Sequence, residues 1–125
     1  MIAPNINTKE YSLEVHDNFI KVFDKRIDQV ISLNDITQIM DEVEKHRKSE
    51  KILLLIVTGK NTILSDEARE RITFLAKTKT YKVALIIHDL AQRVMGNFVI
   101  HLLNNRRTLQ LFTNDKDALK WLLDN

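Results

Sequence analysis

The chain has 125 residues, 44% of them hydrophobic and 29% charged, which suits one globular core, is too short for two, and excludes a disordered segment. Its 19 Lys and Arg nearly balance 17 Asp and Glu, a formal charge of +2, so no broad basic field is offered to nucleic acid. With no cysteine, disulfides, thiolate metal ligands and a cysteine nucleophile are excluded, and no apolar run reaches the roughly 18 residues of a membrane span.

Residues 1–8, which hold the sole proline, Pro4, read as a flexible lead-in to a single domain over 9–125. The opening MIAPNINTKE lacks the basic start and apolar centre of a signal peptide, so a cytoplasmic location is expected. Tyr11, Leu13 and Val15 alternate with Ser12, Glu14 and His16, the period of a half-buried strand. Asp17 and Asn18 suit a two-residue hairpin turn into a second strand, Phe19 to Phe23. The segment from Asp24 to Ile31 fits either a kinked extension of that strand or an irregular connection.

Ser32 with Asp35 three residues later has the form of a helix cap, with Asn34 as a rival. Leu33, Ile36, Met40 and Val43 then make one apolar stripe. Acidic Asp41, Glu42 and Glu44 precede Lys45, Arg47 and Lys48, placing cations where the helix dipole favours them, before an end near Ser49. Ile52 to Val57 is apolar on both faces, as a central strand covered on both sides must be. Thr58 to Asn61 form a turn in which Gly59 is expected to take a backbone conformation that other residues resist. Ser65 reads as the cap of a second helix, with Asp66 and Glu67 in its first turn and Ala68, Ile72, Leu75 and Ala76 inward. Glu67 and Arg71, four apart, are placed to pair outside.

Val83 to Ile87 is a second continuous apolar strand, and two such strands joined by a helix form a right-handed parallel unit. A third helix is expected from Asp89 or Leu90 to Asn104, burying Leu90, Val94, Phe98 and Leu102. Gly96 inside it implies close packing against another backbone. Thr108 to Phe112 completes the strands. Asn114 caps a last helix that turns Ala118, Leu119, Leu122 and Leu123 inward, with Trp121 nearby.

The order β-β-α-β-α-β-α-β-α predicts an α/β layered fold, with a mostly parallel sheet of about five strands, about four helices and an N-terminal β-hairpin. This order, with a central strand leading through Thr58 and Gly59 to Ser65 at a helix start, resembles the STAS superfamily of anti-sigma factor antagonists and sulfate-transporter tails. The segments RVMGNFVIHLL (Arg93 to Leu103), LQLFTN (Leu109 to Asn114) and ALKWLL (Ala118 to Leu123) are similar to a small bacterial subgroup of single-domain STAS/SEC14-like proteins. The resemblance implies a non-enzymatic regulatory or protein-interaction module, or alternatively a SEC14-like carrier of a small apolar ligand. It also matches Ser65 to the serine that the antagonists switch by phosphorylation. Leu64, Asp66 and Glu67 differ from the aspartate, small residues and glycine found around that serine. Read from its neighbours alone, Ser65 is an N-cap.

Candidate chemistry is sparse. His16, His46, His88 and His101 show no metal-ligand spacing, so no metal or cofactor is expected. His88 ends a buried strand at the edge where α/β proteins bind ligands, and Arg93 stands close enough to meet an anion or a partner there. Ser65, His88 and Asp89 can be drawn as a hydrolase triad, but the GxSxG elbow is absent; TGKN likewise lacks phosphate-loop spacing. Arg106 and Arg107 form the densest basic spot, too small for a nucleic-acid footprint. Met95, Phe98, Val99 and Leu102, with Val94 and Leu103, cover more of the third helix than one sheet contact needs. That excess points first to a homodimer surface, then to packing against the last helix with Trp121, and third to an apolar-ligand surface. The expectation is therefore a cytoplasmic, protein-binding homo-oligomer with no membrane insertion.

Overall fold

A computed structural model describes residues 5–78, 80–103 and 108–124. In chain order the elements are β1 (Asn5–Asn7), β2 (Tyr11–Val15), β3 (Ile20–Asp24), β4 (Val30–Ile31), α1 (Leu33–Glu44), β5 (Ile52–Val57), β6 (Ile63–Leu64), α2 (Asp66–Lys77), β7 (Tyr81–Ile86), α3 (Leu90–Leu103), β8 (Leu109–Phe112) and α4 (Asp115–Leu123). Pro4, the Asn104 end of the third helix and the Arg106–Arg107 spot lie outside the described residues.

Six strands form one sheet in the order β1-β2-β3-β5-β7-β8. The first three pair antiparallel; β5, β7 and β8 continue from β3 in parallel. The α/β layered fold with an N-terminal hairpin is thus the one the sequence predicts. The centre of the sheet is β5, whose Leu54 and Leu55 point to opposite faces and are both fully buried. On one face Leu13, Val22 and Leu54 pack with Ile39 and Val43 of α1, and Val99 and Ile100 of α3 pack with Leu109. On the other, Leu55, Ala84 and Ile86 pack with Ala118 and Leu122 of α4.

Helix starts follow the caps. Ser32 accepts from the Asp35 amide while the Asp35 carboxylate accepts from the Ser32 amide, a reciprocal capping box that settles the choice over Asn34. Asn114 caps α4 by accepting from the Asp117 amide.

Several local expectations are overturned. Asn5–Asn7 is a strand paired with β2, inside the segment read as a lead-in. The stretch after β3 is neither of the two alternatives alone: it is an irregular turn followed by β4, which pairs parallel with β6 in a separate two-stranded sheet. Helix α1 ends at Glu44, before Ser49, with Lys45 as its C-cap. On α2 the ion pair found among the described residues joins Arg69 to Asp66 at 2.6 Å, in place of the expected pairing of Glu67 with Arg71. Thr73 is buried there, whereas Ile72 and Leu75 are only half-buried. Leu123 of α4 is exposed.

The largest correction concerns α3. Leu90, Val94, Phe98 and Leu102, expected inside, are 74, 63, 51 and 47% exposed, while Gln92, Gly96, Val99 and Ile100 are buried. The helix carries apolar side chains on opposite faces, so periodicity supplies two stripes and no reason to choose between them. Shape decides it. A Cβ at Gly96 would lie 2.6 and 2.8 Å from the two Cδ atoms of Leu111, so the glycine lets α3 settle onto β8. Its neighbour is that side chain and not another backbone.

Candidate functional site

The C-terminal edge of the parallel strands is organised by one residue that the sequence does not advertise, Gln92. Its position in the first turn of α3 aims it back at the loops after β5 and β7. The buried Gln92 Nε2 donates to the carbonyls of Gly59 at 2.8 Å and Thr62 at 3.1 Å. Its Oε1 accepts from the His88 amide at 2.7 Å and lies 3.2 Å from Thr58 Oγ1. Asp89 caps the turn by accepting from the Gln92 amide at 2.9 Å. A polar residue within an apolar helix is the one signal that points to it, since a buried amide needs partners of this kind.

His88 stands at this edge as expected, but its ring is exposed and its Nε2 lies 2.6 Å from the Thr58 carbonyl. Ser65 Oγ is engaged elsewhere, accepting from the Ala68 amide as the N-cap of α2. Asp89 holds Gln92. The three residues that can be drawn as a triad are therefore each engaged with backbone groups and not with one another. Arg93 is exposed on the first turn of α3, and its amide donates to the Asp89 carbonyl at 3.1 Å.

Replacing Gln92 by leucine keeps its bulk, strips the Thr62 carbonyl and the His88 amide of the partner it supplies, and removes one of the two donors to the Gly59 carbonyl. A buried polar group left unpaired costs about 1–3 kcal/mol. The variant should lose about 2–4 kcal/mol in urea unfolding, allowing for some rescue by water. A loss under about 0.5 kcal/mol would show that the loops hold themselves.

The turn before β6 lies beside a buried ionic cluster. Arg26 Nε donates to Asp24 Oδ1 at 2.9 Å, and its Nη1 lies 2.8 Å from Asp35 Oδ1. Two non-glycine residues, Asp28 and Asn61, both at φ 56°, take the left-handed conformation expected of Gly59. They are joined by a 2.9 Å bond from Asn61 Nδ2 to Asp28 Oδ1. Gly59 itself has no positive φ; it is a glycine because the Arg26 carbonyl comes too close for a Cβ.

At the opposite sheet edge the buried Tyr81 hydroxyl donates to Glu44 at the end of α1, and Arg47 Nε donates to Glu44 at 2.8 Å. The Arg47 hydrogen bond, with a smaller contribution from Tyr81, holds the Glu44 carboxyl below its ordinary range. Burial, followed by the Glu44 contact, pushes the Tyr81 hydroxyl up to about 12. The folded value exceeds the unfolded one of about 10. The stabilisation is therefore complete below pH 10 and is lost as pH rises through 12. Wild-type thermal stability should fall across that window more steeply than that of Tyr81→Phe; parallel slopes would exclude the linkage.

The four side chains assigned to an oligomer or ligand surface separate in the structure. Phe98 and Leu102 lie on the exposed ridge with Leu90 and Val94, while Val99 is 2% exposed in the core and belongs to no surface. Met95, half-buried, faces the interior, where its Sδ lies 3.4 Å from the Leu64 amide. Met95 and Val99 instead line a cavity of about 130 Å³ between the sheet and helices α1, α2 and α3. That space is below the ~300 Å³ at which drug-sized pockets begin. Among the described residues no group of three His, Asp or Glu is placed to hold a metal, and no helix is long and apolar enough to cross a membrane.

Residues 13–124 match the model of a family described as Domain of unknown function (DUF7793). No curated protein matches the chain. Among solved structures, an uncharacterized protein from the DUF3478 family with a SpoIIAA-like fold, from Shewanella loihica PV-4, aligns with a TM-score of 0.59 at 21% identity. The alignment covers 90% of this chain and 91% of that one. At this identity the likeness is one of fold, and the fold is the SpoIIAA-like, STAS-like one.

Proposed function

The chain belongs to the family described as Domain of unknown function (DUF7793), and from its STAS-like fold we propose a non-enzymatic, cytoplasmic protein-binding module that pairs with a second copy through α3. One observation carries this reading. The exposed side chains Leu90, Val94, Phe98 and Leu102 recur every four residues along one helix, so they form a continuous ridge. At 74, 63, 51 and 47% exposed they join into a contiguous apolar patch, the kind of surface that is often functional on a monomer.

A ridge of this shape is self-complementary about a two-fold axis, since two antiparallel copies can lay the same stripe against each other. It supplies the apolar centre of an interface, which needs about 800 Å² per partner when its polar rim is included. Arg69 of α2, whose guanidinium lies 5.6 Å from the Phe98 ring, belongs to that rim. The test is sedimentation equilibrium of the wild type beside a Val94→Glu/Phe98→Glu variant. We expect a wild-type dimer, and association weakened about 100-fold or more in the variant, which buries two unpaired charges if it pairs. A wild type that stays monomeric at 100 µM or so would overturn the pairing.

In this reading Ser65 is a cap and not a switch. Asp66 and Glu67 already occupy the favourable first turn of α2 and would repel an added phosphate. Ser65→Ala should cost about 1 kcal/mol of stability and leave the association unchanged. A partner list that changes between Ser65→Ala and Ser65→Glu in an affinity pull-down would restore the switch.

A further inference from the structure

The cavity beneath the helices is required neither by the packing of the fold nor by pairing through α3. Leu54, Val83 and Leu85 from the sheet and Ile39, Ile72 and Met95 from the helices line it, and its volume is about 130 Å³. Protein interiors pack as densely as organic crystals and rarely keep voids larger than a water molecule. A void close to 150 Å³ with an apolar lining stays dry and takes up benzene or xenon.

The few polar groups that reach its wall are already used. Gln92 holds the Gly59 and Thr62 carbonyls, and Thr62 Oγ1 donates to the Gly59 carbonyl at 2.8 Å. Thr58 Oγ1 donates to the Ile86 carbonyl at 2.8 Å, Asp24 is paired with Arg26, and the Tyr81 hydroxyl is bonded to Glu44. Among the described residues no buried side-chain nitrogen or oxygen lacks a partner. The donors on this wall are committed and its surface is otherwise apolar. A ligand that brought a carboxylate into this space would therefore find no side-chain donor to replace its water. A hydroxyl or amine would trade full hydration for at most a bond to a hydroxyl oxygen already engaged.

We propose that the space between the sheet and helices α1, α2 and α3 is a binding site for an uncharged hydrocarbon group of benzene to toluene size, without hydrogen-bonding substituents. The volume sets the size limit, and the satisfied wall sets the polarity. A lipid acyl chain is far too large for it.

Toluene and phenol, close in size and opposite in polarity, test the proposal directly on the full chain by thermal unfolding. Saturating toluene should raise the midpoint by about 3 °C or more, and equimolar phenol should not. Ala76 lines the cavity from α2 and is 4% exposed, so Ala76→Leu should occupy the space and abolish the toluene shift. Xenon pressure on the wild type, read by methyl chemical shifts, locates the site without any substitution and serves if that variant fails to fold. The methyls of Ile39, Leu54 and Val83 should move. Equal shifts from toluene and phenol, a toluene shift retained in Ala76→Leu, or cavity methyls that do not respond to xenon would each overturn the proposal. The outcome is independent of the oligomeric state.

Discussion

Gly59→Ala is expected to lower stability by about 3–5 kcal/mol, which for a domain of this size is a fall of about 10–20 °C in midpoint. The added methyl carbon would lie 1.6 Å from the Arg26 carbonyl oxygen and 2.8 Å from its carbon. Both are backbone atoms, so nothing can swing aside and the whole turn has to move. Moving it strains the two bonds that the Gly59 carbonyl accepts, from Gln92 Nε2 and Thr62 Oγ1, each 2.8 Å long. It also pulls on the 3.1 Å bond from the Asp28 amide to the Lys60 carbonyl, and with it on the junction between β4 and β6. Gly96→Ala is the matched control. There the clash is with the flexible end of Leu111, and alanine gains about 1 kcal/mol of helix propensity, so the net change should stay within about 1–2 kcal/mol. Chemical unfolding of both variants separates the cases. Similar losses for the two would mean that the approach of Arg26 to Gly59 is not the constraint.

These two glycines also show how far the sequence could be read. Both were recognisable as special, because glycine inside a turn or helix is costly unless something needs it. What needed them was not recognisable, since each answers to a partner distant in sequence: the Arg26 carbonyl for Gly59, and Leu111 for Gly96. Local signals were legible. The continuous apolar runs of β5 and β7 gave a parallel centre, and Ser32, Ser65 and Asn114 marked helix starts through bonds made within three residues. Where two local answers were equally good, the sequence had no means of choosing. Helix α3 offers apolar stripes on both faces, and the one expected inside is the one exposed. The short strands β1, β4 and β6 carry no alternation long enough to register, and exist because neighbouring strands pair with them. Gln92 is not legible in the same way, because an amide in a helix means little until the carbonyls it serves are brought to it.

Arg26→Met should be as damaging as Gly59→Ala, for an electrostatic reason. Arg26 is 8% exposed and Asp24 9%, and the guanidinium faces Asp24 on one side and Asp35 on the other. Taking ions out of water costs several kcal/mol each, and what offsets that cost here is their mutual attraction together with the hydrogen bonds between them. Without the arginine side chain, the bond that remains to Asp24 among the described residues is the one from the amide at position 26, 3.0 Å long in the wild type, and Asp24 is left a buried charge without a counterion. Breaking a buried pair in this way costs about 3–5 kcal/mol. Asp35 suffers less, because its side chain is 27% exposed and it still accepts from the Ser32 amide. Removing both buried charges should therefore be less harmful than removing one. Asp24→Leu/Arg26→Met is expected to recover at least half of the loss seen in Arg26→Met alone, with urea midpoints as the measure. If the double variant is instead less stable than the single one, the cluster contributes stability as a pair, and its ions are more than a cost that the fold has managed to offset.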